Sequence, residues 1–488
     1  MIDALPVELL SSIFFICVHG HCTPPEHLSW VSKRWRRVAI GFAQLWTDVY
    51  YGAKEDIPRM SVFLERSGTT PFDVELRVTR AVLADAVSAT CLASVLSPHF
   101  HRARSLHLAQ YDGWKSVESP YPATETEFSE GVNRLFQMIH DPSRSTSLRE
   151  FQIFSSLYSG VTFPTFLEHT QLQRLATENI SFDSVEKAFE MSSQTLVSLR
   201  VYFIQAEDFP IERFITALAA LQHLRELEIG LPKSISLPTA EDSDIIEPLP
   251  LPALSSLMIR GNTSMLLARL ACPSLENVSV DMSEEDRLEI ESLSSFLSAH
   301  ANTICLLDLP RIVDQPEGDG VAPNPRPTPF TTLSSLSGVF DNRFASSILG
   351  TIMGVSLTHV NISISALVSV DTLLDFFDAA SGTLRTACLT YGRKMSSDFH
   401  AKVPFNGRIV FTCLEAFESW CQLGDMVISA TKEAPKLRIL QLHGLQNYAS
   451  PHPNNWVILA CFLSNEVSDC APVRQGYPIN SNCQALNP

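Results

Sequence analysis

The sequence has no excess of basic residues. It contains 36 Lys and Arg against 53 Asp and Glu, a formal net charge of −17 at pH 7. Lys33, Arg34, Arg36 and Arg37 balance the acids of the first fifty residues, so the acidity lies downstream. A protein that binds a nucleic-acid backbone needs the opposite charge, which argues against nucleic acid as a partner. We interpret the acidity as the surface that keeps a large domain soluble, and an acidic docking surface is the alternative.

Regular cysteine spacing and long apolar runs are also missing. The 11 cysteines are odd in number and form no CxxC pair, as is typical of reduced thiols in the cytosol or nucleus. No apolar run is long enough to span a bilayer. The apolar segment 9–18 follows Asp3 and Glu8 instead of the basic residues of a secretory signal. We therefore expect a cytoplasmic or nuclear protein with no membrane partner.

Motifs of catalysis and cofactor binding are absent from the sequence. There is no P-loop, no GxGxxG after a strand, no GxSxG elbow and no HExxH. Cys17, His19, His21 and Cys22 are crowded into six residues, whereas structural zinc sites use two separated ligand pairs. We expect no metal, no cofactor and no enzymatic activity.

The first fifty residues contain a densely apolar helical segment. From Leu5 to Val18 the only charged residue is Glu8, and Pro6 suits the first position of a helix. Leu5, Leu9, Ile13 and Ile16 form one stripe, which further apolar residues widen. A helix that is apolar nearly all round must be buried on both sides, but fifty residues form only a marginal core. We expect one side to pack on neighbouring helices and the other on a partner protein.

Several short motifs of this segment resemble a known family. The order LPVELL, IF, VSKRW and LW resembles the F-box, the helical module that docks on the Skp-type adaptor of a cullin–RING (SCF-type) ubiquitin ligase. The connector 19–25 and Trp30 depart from the family pattern. The resemblance implies docking of a helix in a groove, through Leu5, Pro6, Leu9, Ile13, Phe14, Val31, Lys33 and Trp35. Some of these, Val31 and Trp35 in particular, could instead belong to the internal core of the module.

A pattern of the form apolar-x-x-apolar-x-apolar recurs from Pro71 onward, often with Ser, Thr or Pro before it. Copies from Leu148 onward start about 21 to 30 residues apart, the period of leucine-rich repeats. Each copy predicts a strand that buries every second side chain, and helical stretches lie between the copies at 184–191, 211–221, 265–271, 284–299 and 371–380. Clear copies begin at Leu148, Leu196, Leu224, Leu254, Leu275, Leu357 and Leu437, and weaker ones at Ala103, Leu172, Ile304, Leu333, Leu384 and Leu414.

The repeats predict an α/β leucine-rich-repeat-like solenoid, with parallel strands on the concave face and helices on the convex face. An ordinary α/β sheet is the alternative. The Asn or Cys that usually follows each strand is found only as Asn262, so the turns must be tied in another way. We predict four segments: an F-box (1–50), a linker with a first helix (51–70), the solenoid (71–445) and a tail or C-terminal cap (446–488). We interpret 111–147 and 315–329 as insertions.

The combination resembles F-box proteins with leucine-rich-repeat tails. It implies a substrate-recognition adaptor of a ubiquitin ligase whose solenoid binds a target protein. The "x" positions of the strands would face the target, which makes candidates of Arg149, Gln152, Arg200, Tyr202, Glu228, Arg260 and Gln441. One alternative is an interaction scaffold that assembles no ligase. Another is an atypical α/β enzyme, which would need a deep pocket with converging titratable groups.

Overall fold

The computed structural model describes two-thirds of the chain in one continuous architecture. The described residues are 5–21, 23–110, 124–140, 147–154, 164, 167, 170–178, 182–203, 209–231, 248–261, 264–281, 290–311, 328–340, 349, 352–354, 356–364, 370–391, 409–419, 431–434, 436–437 and 439–442. Within these residues no helix has the length and apolar character needed to cross a membrane. The predicted tail, 446–488, lies outside them.

Three helices and a short 3-10 turn form the N-terminal module. They are α1 (Val7–His21), α2 (Pro25–Val31), α3 (Lys33–Gly41) and the turn Ala43–Trp46. The Ser32 side chain accepts a hydrogen bond from the Trp35 N–H and so caps α3. Phe14 packs on Trp35 with ring centroids 4.8 Å apart, and the indole N–H of Trp46 donates to the Ala39 carbonyl at 2.8 Å.

Fifteen strands of the described residues form one parallel sheet, confirming the predicted fold class. Each strand pairs with the strand of the next repeat, as in a solenoid. In sheet order they are β1 (Asp48–Tyr51), β2 (Phe72–Val78), β3 (Ala103–Gln110), β4 (Glu150–Phe154), β5 (Arg174–Glu178), β6 (Ser198–Tyr202), β7 (Glu226–Gly230), β9 (Ser256–Arg260), β11 (Asn277–Asp281), β12 (Leu306–Arg311), β14 (Ser335–Phe340), β16 (His359–Ile364), β17 (Thr386–Tyr391), β19 (Ala416–Ser419) and β21 (Ile439–Leu442).

Short strands form three two-stranded pairs beside the main sheet: β8 (Leu249–Pro250) with β10 (Leu270–Ala271), β13 (Thr328–Phe330) with β15 (Ile352–Gly354), and β18 (Ile409–Val410) with β20 (Thr431–Glu433). Helices connect the strands and cover one face of the main sheet. They are α4 (Ile57–Arg66), α5 (Arg80–Ala84), α6 (Ala86–Leu96), α7 (Glu125–Ile139), α8 (Phe182–Ser192), α9 (Ile211–Ala219), α10 (Ser264–Arg269), α11 (Ile290–Ala299) and α12 (Val370–Ala380).

Alternate strand residues build a core that continues from repeat to repeat. The row Leu175, Leu199, Leu227, Leu257 and Val278 is held in register by successive strand pairs, and each member is at most 2% exposed. The helices bury their own apolar residues against this face, Phe214 and Leu218 of α9 among them. The remaining strand residues point to the opposite side, which we call the open face.

A backbone ladder ties the repeats together just before the strands begin. The Val197 carbonyl accepts hydrogen bonds from the N–H groups of Arg225 (2.8 Å) and Glu226 (3.1 Å) in the next repeat. The same double acceptance occurs at Arg149, Gln173, Val197, Arg225, Ser255, Glu276, Cys305, Ser334, Thr358 and Arg385. Because backbone groups make these bonds, the repeats hold their turns without the asparagine ladder that the sequence lacks.

A second ladder explains the hydroxyl residues that precede many repeats. The Thr383 hydroxyl donates to the Leu357 carbonyl at 2.9 Å, and the Thr332 hydroxyl donates to the Ile304 carbonyl at 2.9 Å. Ser147, Thr195 and Ser356 make the equivalent bond to the first apolar residue of the preceding repeat. Each hydroxyl therefore satisfies a carbonyl between two repeats.

The segment 111–147 was interpreted from the sequence as an insertion. That interpretation was wrong for 125–139, which form α7. Thr124 and Glu127 form a capping box at the helix start. Phe128, Val132, Leu135, Phe136 and Ile139 are all at most 3% exposed. Two smaller corrections follow. Leu270–Ala271 forms a short strand where the predicted helix 265–271 ends, and Thr328–Phe330 forms a short strand that begins inside the predicted insertion 315–329.

The sheet begins directly after the N-terminal module, earlier than the predicted boundary at residue 71. β1 starts two residues after Trp46 and pairs with β2, so the module and the solenoid share a core. The guanidinium of Arg66 on α4 lies over the Trp46 ring, 4.3 Å from its centroid. Nearly buried Arg102 donates to the carbonyls of Thr70 (2.8 Å) and Leu64 (3.1 Å). These contacts fix α4 between the module and the first repeats.

Candidate functional site

The N-terminal module exposes apolar side chains on the side of α1 away from its own core. Leu10, Phe14 and Val18 of α1 are buried, whereas Leu9 is 54% and Ile13 is 42% exposed. We call the exposed apolar residues of the three helices the N-terminal apolar surface; they are Val7, Leu9, Ile13, Phe15, Ile16, Trp30, Val31 and Ile40. Exposed apolar side chains at this density are typical of an interaction surface.

The eight residues predicted to bind an adaptor divide into three groups. Pro6, Leu9, Ile13, Val31 and Lys33 are exposed, and Leu5 and Trp35 are half-buried. Phe14 is a correction: it is completely buried against Trp35, because it lies on the α1 face that packs on α3.

The structure adds five exposed residues to those predicted: Val7, Phe15, Ile16, Trp30 and Ile40. Ile16 continues the stripe of Leu9 and Ile13 at helical spacing, a signal present in the sequence. Ile40 lies near the end of α3. Trp30 is 67% exposed, with the His27 ring 4.9 Å from its own, and had been noted only as a departure from the family pattern.

Four of the seven predicted target-binding residues meet on the open face, at β6, β7 and β9. Glu228 on the middle strand accepts a hydrogen bond from the Tyr202 hydroxyl at Oε1 and forms an ion pair with Arg200 at Oε2, and Arg260 lies 3.6 Å from Oε1. Arg260 also lies 3.7 Å from Asp281 and 5.0 Å from the centroid of the Tyr202 ring. We call Arg200, Tyr202, Glu228 and Arg260 the central cluster.

The central cluster depends on a glycine in the same strand row. Gly230 lies opposite Tyr202 in register, and a Cβ atom at Gly230 would overlap the Tyr202 ring. The ring therefore lies across β7 and reaches Arg260. Burial and the hydrogen bond to Glu228 raise the pKa of Tyr202 above its ordinary value, so the phenol stays a neutral donor at physiological pH.

A second polar site lies at the N-terminal end of the open face. It is a groove of about 530 Å³, lined by residues of β1 to β5. His107 and Glu150 are 3.1 Å apart there, and Gln152 donates to the same carboxylate at 2.6 Å. The hydrogen bond from His107 is the main reason why the pKa of Glu150 is below its ordinary value. The predicted candidate Gln152 thus contacts Glu150 of this groove and is not part of the central cluster.

The two remaining candidates lie elsewhere. Arg149 is a correction, because it precedes β4 and its backbone belongs to the ladder at the edge of the sheet. Its side chain is exposed at that edge and not on the open face. Gln441 pairs in register with Glu418 on the far strands, and its side chain lies outside the described residues.

A solved structure is similar to this chain at low sequence identity. No protein-family model and no curated protein matches the chain. A chain of the solved structure described as "Crystal structure of Rad7 and Elc1 complex in yeast" is similar, with 15% identity and a TM-score of 0.35. The match covers 80% of this chain and 91% of that one. At this TM-score the fold assignment rests on the strand order of the chain itself.

Proposed function

We propose that the chain is a substrate-recognition adaptor of a cullin–RING ubiquitin ligase, acting in the cytoplasm or nucleus. In this proposal the N-terminal apolar surface docks on a Skp-type adaptor, in the manner of an F-box, and the open face of the solenoid binds a target protein. The chain supplies no acid, base or nucleophile; it contributes proximity and orientation.

The observation that carries the proposal is the two-sided apolar character of α1. One face is fully used by the core of the module, through Leu10, Phe14 and Val18. Leu9, Ile13 and Ile16 nevertheless stay exposed on the other face. Because these side chains are about half exposed, a partner groove would recover roughly half of the about 1.5–3 kcal/mol that complete burial of each contributes. The motifs that resemble an F-box lie on these same helices.

The test is co-purification of the full chain with a Skp-type adaptor. We expect the wild-type chain to bind and Leu9→Asp/Ile13→Asp to lose at least about tenfold in affinity, because two carboxylates would be buried in the interface. Val87→Asp is the matched control, since Val87 is 62% exposed on α6, outside the module. Circular dichroism should be unchanged in both variants.

The outcomes distinguish the ligase proposal from the scaffold alternative and the enzyme alternative. If the wild-type chain does not bind the adaptor, the ligase proposal is rejected. If it binds but never supports ubiquitin transfer when cullin, RING subunit and conjugating enzyme are added, the scaffold alternative is favoured. Turnover of a small molecule by the chain alone would favour the enzyme alternative.

A further inference from the structure

The open face carries more acids than bases. Its described outward side chains include nine carboxylates and five guanidinium groups: Asp48, Asp73, Glu75, Glu150, Glu178, Glu226, Glu228, Asp281 and Asp308 against Arg77, Arg104, Arg174, Arg200 and Arg260. Charge complementarity steers association and suppresses partners of the wrong charge. A face with this excess favours a basic segment over an acidic one.

Most of the partly buried acids on this face are already paired within the chain. Asp73 pairs with Arg104, Glu150 with His107, and Glu228 with the arginines of the central cluster. Glu178 differs, because no described residue lies within hydrogen-bond or salt-bridge distance of its carboxylate. Burial raises its pKa, and Arg260 opposes that shift only from a distance. Among the described residues, Glu178 is therefore a partly desolvated carboxylate that accepts no hydrogen bond.

An aromatic residue stands beside Glu178 on one neighbouring strand. Phe154 on β4 follows directly after the pair Ile153 and Thr177 and so lies next to Glu178, whereas the ring of Tyr202, the register partner of Glu178 on β6, turns away across β7. Adjacent strands lie about 4.8 Å apart, so Phe154 and Glu178 are near neighbours on the open face. Phe154 is half-buried and points to the open face, as the alternating burial of β4 shows.

This arrangement matches the chemistry of a lysine or arginine side chain. A carboxylate pairs with the cation, and an aromatic ring within about 6 Å attracts it further. We propose that Phe154 and Glu178 form the site that receives a basic side chain from a Lys/Arg-containing segment of the target. The inference rests on the proposed function, in which the open face binds the target.

The experiment uses the full chain and a labelled nine-residue peptide of alternating Gly and Arg. Binding is measured by fluorescence anisotropy beside a matched peptide of alternating Gly and Glu. We expect the Arg peptide to bind the wild-type chain and the Glu peptide not to bind. Glu178→Gln should weaken Arg-peptide binding about tenfold, the effect of losing one charge-assisted contact. Phe154→Leu should weaken it about threefold by removing the ring.

Glu190→Gln is the matched control, because Glu190 is exposed on α8 and its replacement also removes one negative charge from the chain. It should change binding less than twofold. Equal binding of the two peptides, or equal losses in Glu178→Gln and Glu190→Gln, would overturn the site. Glu178→Gln should still co-purify with the Skp-type adaptor. If the wild-type chain binds the adaptor but not the Arg peptide, this site is rejected and the ligase proposal stands. If it binds the Arg peptide but not the adaptor, the ligase proposal is rejected and this site stands.

Discussion

Gly230 shows how one residue can determine the arrangement of several charged neighbours. The absence of a side chain lets the Tyr202 ring lie across β7, where its hydroxyl reaches Glu228. A strand glycine is usually unfavourable, because it loses much conformational freedom and packs nothing. Here it provides the space that the central cluster needs.

We expect Gly230→Ala to lower the free energy of unfolding by about 1–3 kcal/mol, because the new methyl group must displace the Tyr202 ring. Urea denaturation would measure the change. Gly382→Ala is the control, since nothing lies within 4 Å of a Cβ atom placed there, and we expect a change within about 0.5 kcal/mol. If the two variants unfold alike, the ring is not held over Gly230.

Glu150 gives a prediction for the dependence of stability on pH. Its pKa in the folded chain lies below the ordinary 4.5, mainly because His107 hydrogen-bonds to the carboxylate. The unfolded state therefore binds more protons in this range, so the contribution of Glu150 is complete above about pH 5.5 and is lost as pH falls through the folded pKa.

In Glu150→Gln this contribution is removed. The difference in unfolding free energy between wild type and variant should shrink from pH 5.5 to about pH 3.5, as measured by urea denaturation at each pH. Glu190→Gln serves as the control for the loss of one carboxylate, because the Glu190 carboxylate is exposed and makes no ion pair with a described residue. A difference for Glu150→Gln that grows toward acid would contradict the assignment.

At the level of elements, the two ladders explain how an irregular repeat keeps its register. From β4 onward, each strand of the main sheet begins two residues after the first apolar residue of its repeat. The backbone ladder and the hydroxyl bonds both act within this short interval. They fix the start of each strand without any side chain that all repeats share.

Removing a hydroxyl from this ladder should leave a carbonyl between repeats without its donor. We expect Thr383→Val to lower the unfolding free energy by about 1–2 kcal/mol, since the Leu357 carbonyl loses its 2.9 Å bond from the Thr383 hydroxyl. In Thr216→Val the lost bond lies on the exposed surface of α9, so the change should be smaller. The comparison is made by thermal or urea denaturation. Equal effects would show that the ladder adds no stability.

Strands were easier to predict from the sequence than the segments between them. The pattern at Leu196, Leu224 and Leu254 gave β6, β7 and β9 because a strand that buries alternate residues leaves a period of two in the sequence. α7 was missed although Thr124 and Glu127 form a capping box ahead of apolar residues at helical spacing. Because 111–147 is rich in Glu, Ser and Pro, the whole segment was interpreted as an insertion.

The candidate site was predictable in part, for a physical reason. The "x" positions of a strand must face away from the core, so Arg200, Tyr202, Glu228 and Arg260 could be chosen one by one. Their convergence on Glu228 depends on register between strands about 30 residues apart, which periodicity does not determine. Glu178 and Phe154 were not chosen, and Phe14 was assigned to the wrong face of α1 because that helix is apolar on both.

At the scale of the whole molecule, the chain behaves as a row of units that contact their neighbours. The sheet follows sequence order from β1 to β21 without a crossover back to an earlier strand. In such a structure a local defect should destabilise the nearest repeats most. A long-range core shared by all strands would instead spread the effect over the whole chain.

Hydrogen exchange of Leu389→Ala and Leu76→Ala would distinguish these cases. Both residues are completely buried, on β17 and on β2, and each change should destabilise its surroundings by about 2–5 kcal/mol. We expect Leu389→Ala to lower protection in β16 to β19 and to leave β1 to β4 unchanged, with the opposite result for Leu76→Ala. Uniform loss of protection in either variant would rule out independent neighbours.

The backbone ladder has a consequence for how the chain can diverge. The ladder joins the repeats at the edge of the sheet where the strands begin. At that edge the number of residues between the first apolar residue of a repeat and the start of its strand is constant. Beyond the other edge, 14 residues separate β3 from α7, whereas 3 separate β9 from α10. Insertions and deletions after a strand should therefore be tolerated without shifting any repeat out of register. Related chains would then be expected to share their strand starts and to differ in length at the opposite edge. Exchanging those segments between relatives would be a direct way to transfer target preference while keeping the scaffold.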